Sequence, residues 1–140
     1  MDYIFRTHYR LTSNSMSKPI PVVLLAETEP EACAMYRRHL TAGADLEVSV
    51  CGSLAALSGQ LETLQPDLLI INPGPNLKGS LKFLGRAKRL YPALRIITLG
   101  YAIPEDYLDE LMQLGVSAHI NRYLSRPQDV ALAAQQVLSN

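Results

Sequence analysis

The chain has 140 residues, the length of one ordinary domain, and a second catalytic domain does not fit within it. With 48% hydrophobic, 19% charged and 6% aromatic residues it has the composition of a soluble globular protein, which excludes disorder, coiled coil and collagen. Lys plus Arg and Asp plus Glu both total 13, so no overall field gathers nucleic acid or anionic membrane without specificity.

Residues 1–19 carry Arg6, Arg10 and Lys18 against Asp2 with no sustained period, and read as an N-terminal tail, with Met16 as an alternative start. From Ile20, apolar runs rich in Val, Ile and Leu alternate with longer stretches of helical period, over 20–140. The first strand is expected over Ile20–Ala26. Thr28 and Glu31 have capping-box spacing, with Pro30 tolerated in the first turn, so a helix follows that buries Ala32, Cys33, Met35, Tyr36 and Leu40 and ends at Gly43. A second strand covers Leu46–Cys51. Gly52 and Ser53 open a helix through Leu54, Leu57, Leu61 and Leu64, and Pro66 breaks it before a third strand, Asp67–Ile71.

The loop Asn72-Pro73-Gly74-Pro75-Asn76 excludes regular structure, and a third helix then runs through Leu81, Leu84, Ala87 and Leu90. Leu94–Leu99 gives a fourth strand, and Pro104, Glu105 and Asp106 start a helix through Leu108, Leu111 and Met112 that Gly115 closes. Val116–Ile120 is the fifth strand. The last helix starts at Ser125, with Gln128 as its capping partner, and carries Val130, Ala133, Ala134, Val137 and Leu138. Five strand and helix pairs fit an α/β, doubly wound, five-stranded parallel sheet, whose working site lies beyond the carboxyl ends of the strands.

Cys33 and Cys51 are too few for a disulfide framework, have no metal-type spacing with His8, His39 or His119, and read as buried thiols. No apolar run approaches the ~20 residues of a membrane span, and no signal peptide opens the sequence, so a cytoplasmic protein is expected. No nucleotide fingerprint, zinc spacing or nucleophile elbow is present, so neither a cofactor, a metal nor enzyme activity is expected.

The stretches Val22-Val23-Leu24-Leu25-Ala26-Glu27-Thr28-Glu29-Pro30 and Gln65-Pro66-Asp67-Leu68-Leu69-Ile70-Ile71-Asn72 resemble the receiver domain of bacterial response regulators. Gly79, the segment Tyr91–Ile97 and Leu114-Gly115-Val116-Ser117-Ala118 agree in order and spacing. The resemblance implies the flavodoxin-like, CheY-like (βα)5 fold and a place in two-component, phosphorelay-type signal transduction. It also implies a site where an acidic pair holds magnesium, an aspartate accepts a phosphoryl group, and a hydroxyl and a lysine meet the phosphoryl oxygens.

Each of those positions departs from the family pattern. Glu27 and Thr28 stand at the acidic pair, Asn72 at the phosphoacceptor, Gly100 at the hydroxyl and Arg122 at the lysine, while Tyr123 replaces the following proline. His119 takes the place of the switch aromatic. An amide is not a nucleophile and forms no acyl phosphate, and one carboxylate on a longer stem suits octahedral magnesium poorly. Three arrangements are open: Asn72 donating to Glu27 and accepting from Arg122, a direct Glu27–Arg122 ion pair, or strand ends left to water. His119 is either a pH switch or a satisfied, partly buried histidine. Tyr101 and Tyr107 either cover the site or pack on neighbouring helices.

Charge is segregated along the chain: no acid lies between Leu68 and Pro104, whereas Lys78, Lys82, Arg86 and Arg89 share one helical face. The next helix carries Glu105, Asp106, Asp109 and Glu110. By the family resemblance, the face of the fourth helix, fifth strand and fifth helix is the partner or homodimer surface, with Tyr107, Glu110, Tyr123 and Arg126 on it. The expectation is a pseudo-receiver whose partner is another signalling or regulatory protein, not nucleic acid or membrane. The alternative is a small-ligand sensor on the same fold, using the loop from Asn72 to Gly79 and the emptied site.

Overall fold

Five short strands line up side by side as one parallel sheet, and the three at its centre are made chiefly of buried Val, Leu and Ile. The computed structural model describes residues 19–43 and 45–139. The strands are β1 (Val22–Ala26), β2 (Glu47–Cys51), β3 (Leu68–Ile71), β4 (Arg95–Gly100) and β5 (Ala118–Asn121), in the order β2-β1-β3-β4-β5. The helices between and after them are α1 (Pro30–Ala42), α2 (Leu57–Leu64), α3 (Leu77–Leu90), α4 (Glu105–Leu114) and α5 (Pro127–Ser139). This is the doubly wound (βα)5 arrangement that the alternating pattern predicts. The expected tail, apart from Pro19, lies outside the described residues.

Alternation along the strands feeds two cores. Val23, Leu25, Leu68, Ile70, Ile97 and Leu99 pack with residues of α1 and α5. Leu24, Ala26, Leu69, Ile71 and Ile96 pack with α2, α3 and α4 on the opposite face. Each fully buried Leu or Ile contributes about 1.5–3 kcal/mol of transfer free energy, so the central strands carry much of the stability. Both cysteines are buried free thiols, and burial, followed by the Glu27 charge, pushes the Cys33 thiol up.

Several element limits differ from the pattern reading, each for a local reason. β1 starts at Val22, because Pro19 and Pro21 lack donors, although the Pro21 carbonyl still accepts from Glu47 N at 2.9 Å. Asp67 precedes β3 and instead clamps β1, its Oδ2 accepting from Val22 N at 2.7 Å. A single turn of 3-10 helix, Leu54–Ala56, precedes α2. β5 begins at Ala118 and not at Val116, whose N–H is already given to Leu111 O at 3.1 Å in the turn around Gly115. Gly115 has φ +94°, the left-handed conformation that this helix end requires of glycine.

The two capping boxes are also corrected. α1 has Glu29 as its N-cap with no side-chain cap, so the Thr28 and Glu31 pair is not used. At α5 Arg126 and Asp129 replace Ser125 and Gln128: Asp129 Oδ2 accepts from Arg126 N at 2.8 Å, which lowers its pKa. Gly59 has open space where a Cβ would stand, so no neighbour requires a glycine within α2.

Candidate functional site

The strand order reverses between β1 and β3, so the residues that leave those two strands meet at the carboxyl end of the sheet. Glu27 follows β1, Asn72 follows β3, and the Arg122 backbone leaves β5 with its N–H on Gly100 O at 2.8 Å. Arg122 Nη1 donates to Glu27 Oε1 at 3.1 Å, with side chains only 7% and 2% exposed. The other oxygen, Glu27 Oε2, accepts from Glu29 N at 3.1 Å, which places the carboxylate against the first turn of α1. Of the three arrangements left open by the sequence, the direct ion pair is the one the structure holds.

Aromatic rings enclose the guanidinium. Arg122 Cζ lies 4.7 Å from the Tyr101 ring centroid and 5.4 Å from that of Tyr36, and Tyr101 in turn meets Tyr123 with centroids 4.7 Å apart. A planar delocalised cation suits this position where an ammonium would lose the stacking. Burial pushes the Tyr36 phenol up, with Arg122 opposing. No periodic signal marks Tyr36 and Tyr101 as partners of one cation, because they lie on a helix and on a loop far apart in sequence.

Asn72 is not part of that network. Its side-chain Oδ1 accepts from Gly74 N at 3.0 Å and so shapes the loop that follows β3, while its backbone N–H donates to Ala26 O at 3.2 Å. The Asn72 bridge between Glu27 and Arg122, one of the three arrangements left open, is therefore not formed. Thr28 is exposed. At Gly100 a Cβ would lie 2.7 Å from Ile103 Cγ1 and 3.2 Å from His119 Cε1, so Ile103 fills the space that a side chain would need. His119 is partly buried, its Nδ1 2.8 Å from Thr98 Oγ1, and burial holds its pKa below the ordinary value.

These donors do not fit a divalent cation. One oxygen of Glu27 is held by a guanidinium and the other by a backbone N–H, and the Asn72 carbonyl oxygen is turned to its own loop. Among the described residues no three His, Cys, Asp or Glu side chains group as metal ligands. Glu27 and Thr28 also border a groove of about 620 Å³ between α1 and β2, rimmed by Arg37 and Arg38.

The expected partner surface is brought together only in part. Tyr107 is 5% exposed and packs in the core under α4, so it presents nothing to a partner; burial pushes its phenol up. Glu110 lies on the α3 side of α4, across a groove from Lys82, Arg86 and Arg89. Tyr123 is 72% exposed, Leu124 84%, and Arg126 is exposed beside them. Lys78, Lys82, Arg86 and Arg89 are exposed along α3 as the spacing predicts, whereas Lys88 turns inward to Leu94 O at 2.8 Å. Among the described residues, no helix is long and apolar enough to cross a membrane.

No protein-family model and no curated protein matches the sequence. Solved structures do match in fold. A response regulator from Thermotoga maritima has a TM-score of 0.77 at 14% identity, covering 86% of this chain and 99% of that one. A CheY-like response regulator receiver domain protein from Methanospirillum hungatei JF-1 has a TM-score of 0.76 at 15% identity, over 86% of this chain and 94% of that one. A putative pilus assembly protein from Burkholderia thailandensis E264 has a TM-score of 0.72 at 20% identity, over 86% of this chain and the whole of that one. This chain therefore has the CheY-like (βα)5 fold that these structures share.

Proposed function

We propose that the chain is a receiver-like signalling module that works by protein contact without being phosphorylated. The observation that carries this reading is the buried Glu27–Arg122 pair, which fills the strand-end site with its own counter-charge. In a receiver that site takes a cation and a phosphoryl group from outside. Here Asn72 stands at the acceptor position, Ile103 occupies the room beside Gly100, and Arg122 is fixed between two tyrosines. A site neutralised internally has one resting arrangement, so its output surface is displayed constantly. The exposed Tyr123, Leu124 and Arg126, next to the Tyr101 ring that covers Arg122, form the part of the surface tied most directly to the site.

The partner is another signalling or regulatory protein in this reading, and the module is a binding unit and not an enzyme. Fold alone leaves the pathway open, since the same fold serves a response regulator and a putative pilus assembly protein. Intact mass after incubation with Mg²⁺ and acetyl phosphate tests the proposal, with an Asn72→Asp variant alongside. The wild-type mass is expected to stay unchanged. A stoichiometric phosphate adduct on the wild type would overturn the reading, because another carboxylate would then be serving as acceptor.

A further inference from the structure

The groove between α3 and α4 has banks of opposite charge. Lys82, Arg86 and Arg89 line one side, Glu110 the other, and Gly85 and Leu114 lie between them. Asp106 precedes Glu110 by one turn and so extends the acidic bank. Among the described residues none of these five charged side chains makes an ion pair, and Asp106 only caps its neighbour, Tyr107 N, at 3.0 Å. A Cβ on Gly85 would meet Leu114 at an ordinary 3.5 Å, so packing inside the chain does not demand a glycine there, although a mid-helix glycine costs helix stability.

We propose that this groove is a self-association surface whose occupant is the same groove of a second copy. A two-fold axis through it sets the basic α3 of each molecule on the acidic α4 of the other, so each copy supplies both halves of the complementarity. The formal net charge of zero means that two copies do not repel at long range. A nucleic acid fits less well, because its phosphates on Lys82, Arg86 and Arg89 would run beside Asp106 and Glu110. The surface is separate from the Glu27–Arg122 pair, and the proposal stands or falls independently of the function proposed above. Exposed ion pairs are individually weak, so the association is weak and salt-sensitive.

Sedimentation equilibrium of the full chain tests this at ~0.02 M and ~1 M NaCl, where screening lengths differ several-fold. A dimer at low salt that dissociates at high salt is expected. The Lys82→Glu/Arg86→Glu/Arg89→Glu variant and the Asp106→Lys/Glu110→Lys variant, both confined to exposed positions, should each be monomeric alone. Mixed in equal amounts they should form a 1:1 heterodimer, since one carries two acidic banks and the other two basic ones. A wild type that is monomeric at both salts overturns the proposal, as does a dimer that survives in either variant or a mixture that fails to pair.

Discussion

Glu27 has two carboxylate oxygens, and both are committed, one to Arg122 and one to Glu29 N. Removing one member of such a buried pair leaves the other uncompensated, which costs about 3–5 kcal/mol, whereas replacing both with apolar side chains is often close to neutral. Glu27→Leu and Arg122→Met are therefore each expected to lower unfolding free energy by about 3 kcal/mol in urea, and the Glu27→Leu/Arg122→Met double variant to recover most of it. Additive losses would show that the pair is not coupled. His119 supplies a second prediction. Burial lowers its folded pKa below the unfolded value of about 6.5, so on acidification the unfolded chain takes up the proton first. Stability from the neutral imidazole is thus present above about pH 6.5 and lost as pH falls through it. Urea midpoints measured from pH 7.5 to pH 5 should decline more steeply in the wild type than in His119→Gln, and equal slopes would remove the assignment.

At the scale of elements, hydrophobic period and turn residues make strand and helix identity legible, because the central strands are short apolar runs and the helices amphipathic ones. The Gly115 ending is legible for the same kind of reason, since only glycine takes that φ cheaply. Capping is less legible, because several Ser, Thr and acidic residues near each helix start compete for the same free N–H groups. The sequence offers Thr28 and Ser125, and the fold takes Glu29 and Arg126 with Asp129. Asn76 is a similar case: it reads as loop, yet its Oδ1 accepts from Gly79 N at 3.0 Å and starts α3. In the site, family spacing points to Glu27 and Arg122, while the Tyr36 and Tyr101 enclosure and the Ile103 filling depend on side-chain directions that no spacing encodes. Tyr107 shows the converse failure, since a position matched by resemblance faces inward on this α4.

At the scale of the molecule, the two cores share one sheet. β1, β3 and β4 each place alternate residues on both faces, with Leu25 on the α1 and α5 side and its neighbour Leu24 on the α2, α3 and α4 side. Neither layer can dissolve without the strands that hold the other, so the domain should unfold as one unit despite having two separate apolar clusters. Leu24→Ala and Leu25→Ala are each expected to cost about 2–5 kcal/mol, since both side chains are fully buried. Native-state hydrogen exchange tests the cooperativity. In either variant the slowest amides of α1 and of α3, which lie on opposite faces, should lose protection by the same amount. Loss confined to α1 in Leu25→Ala, or to α3 in Leu24→Ala, would mean that the layers open separately. A strand-end site set between them, where Glu27 beyond one strand meets Arg122 beyond another, would then be loosened by either layer alone, and the closed pair could not hold a single resting arrangement.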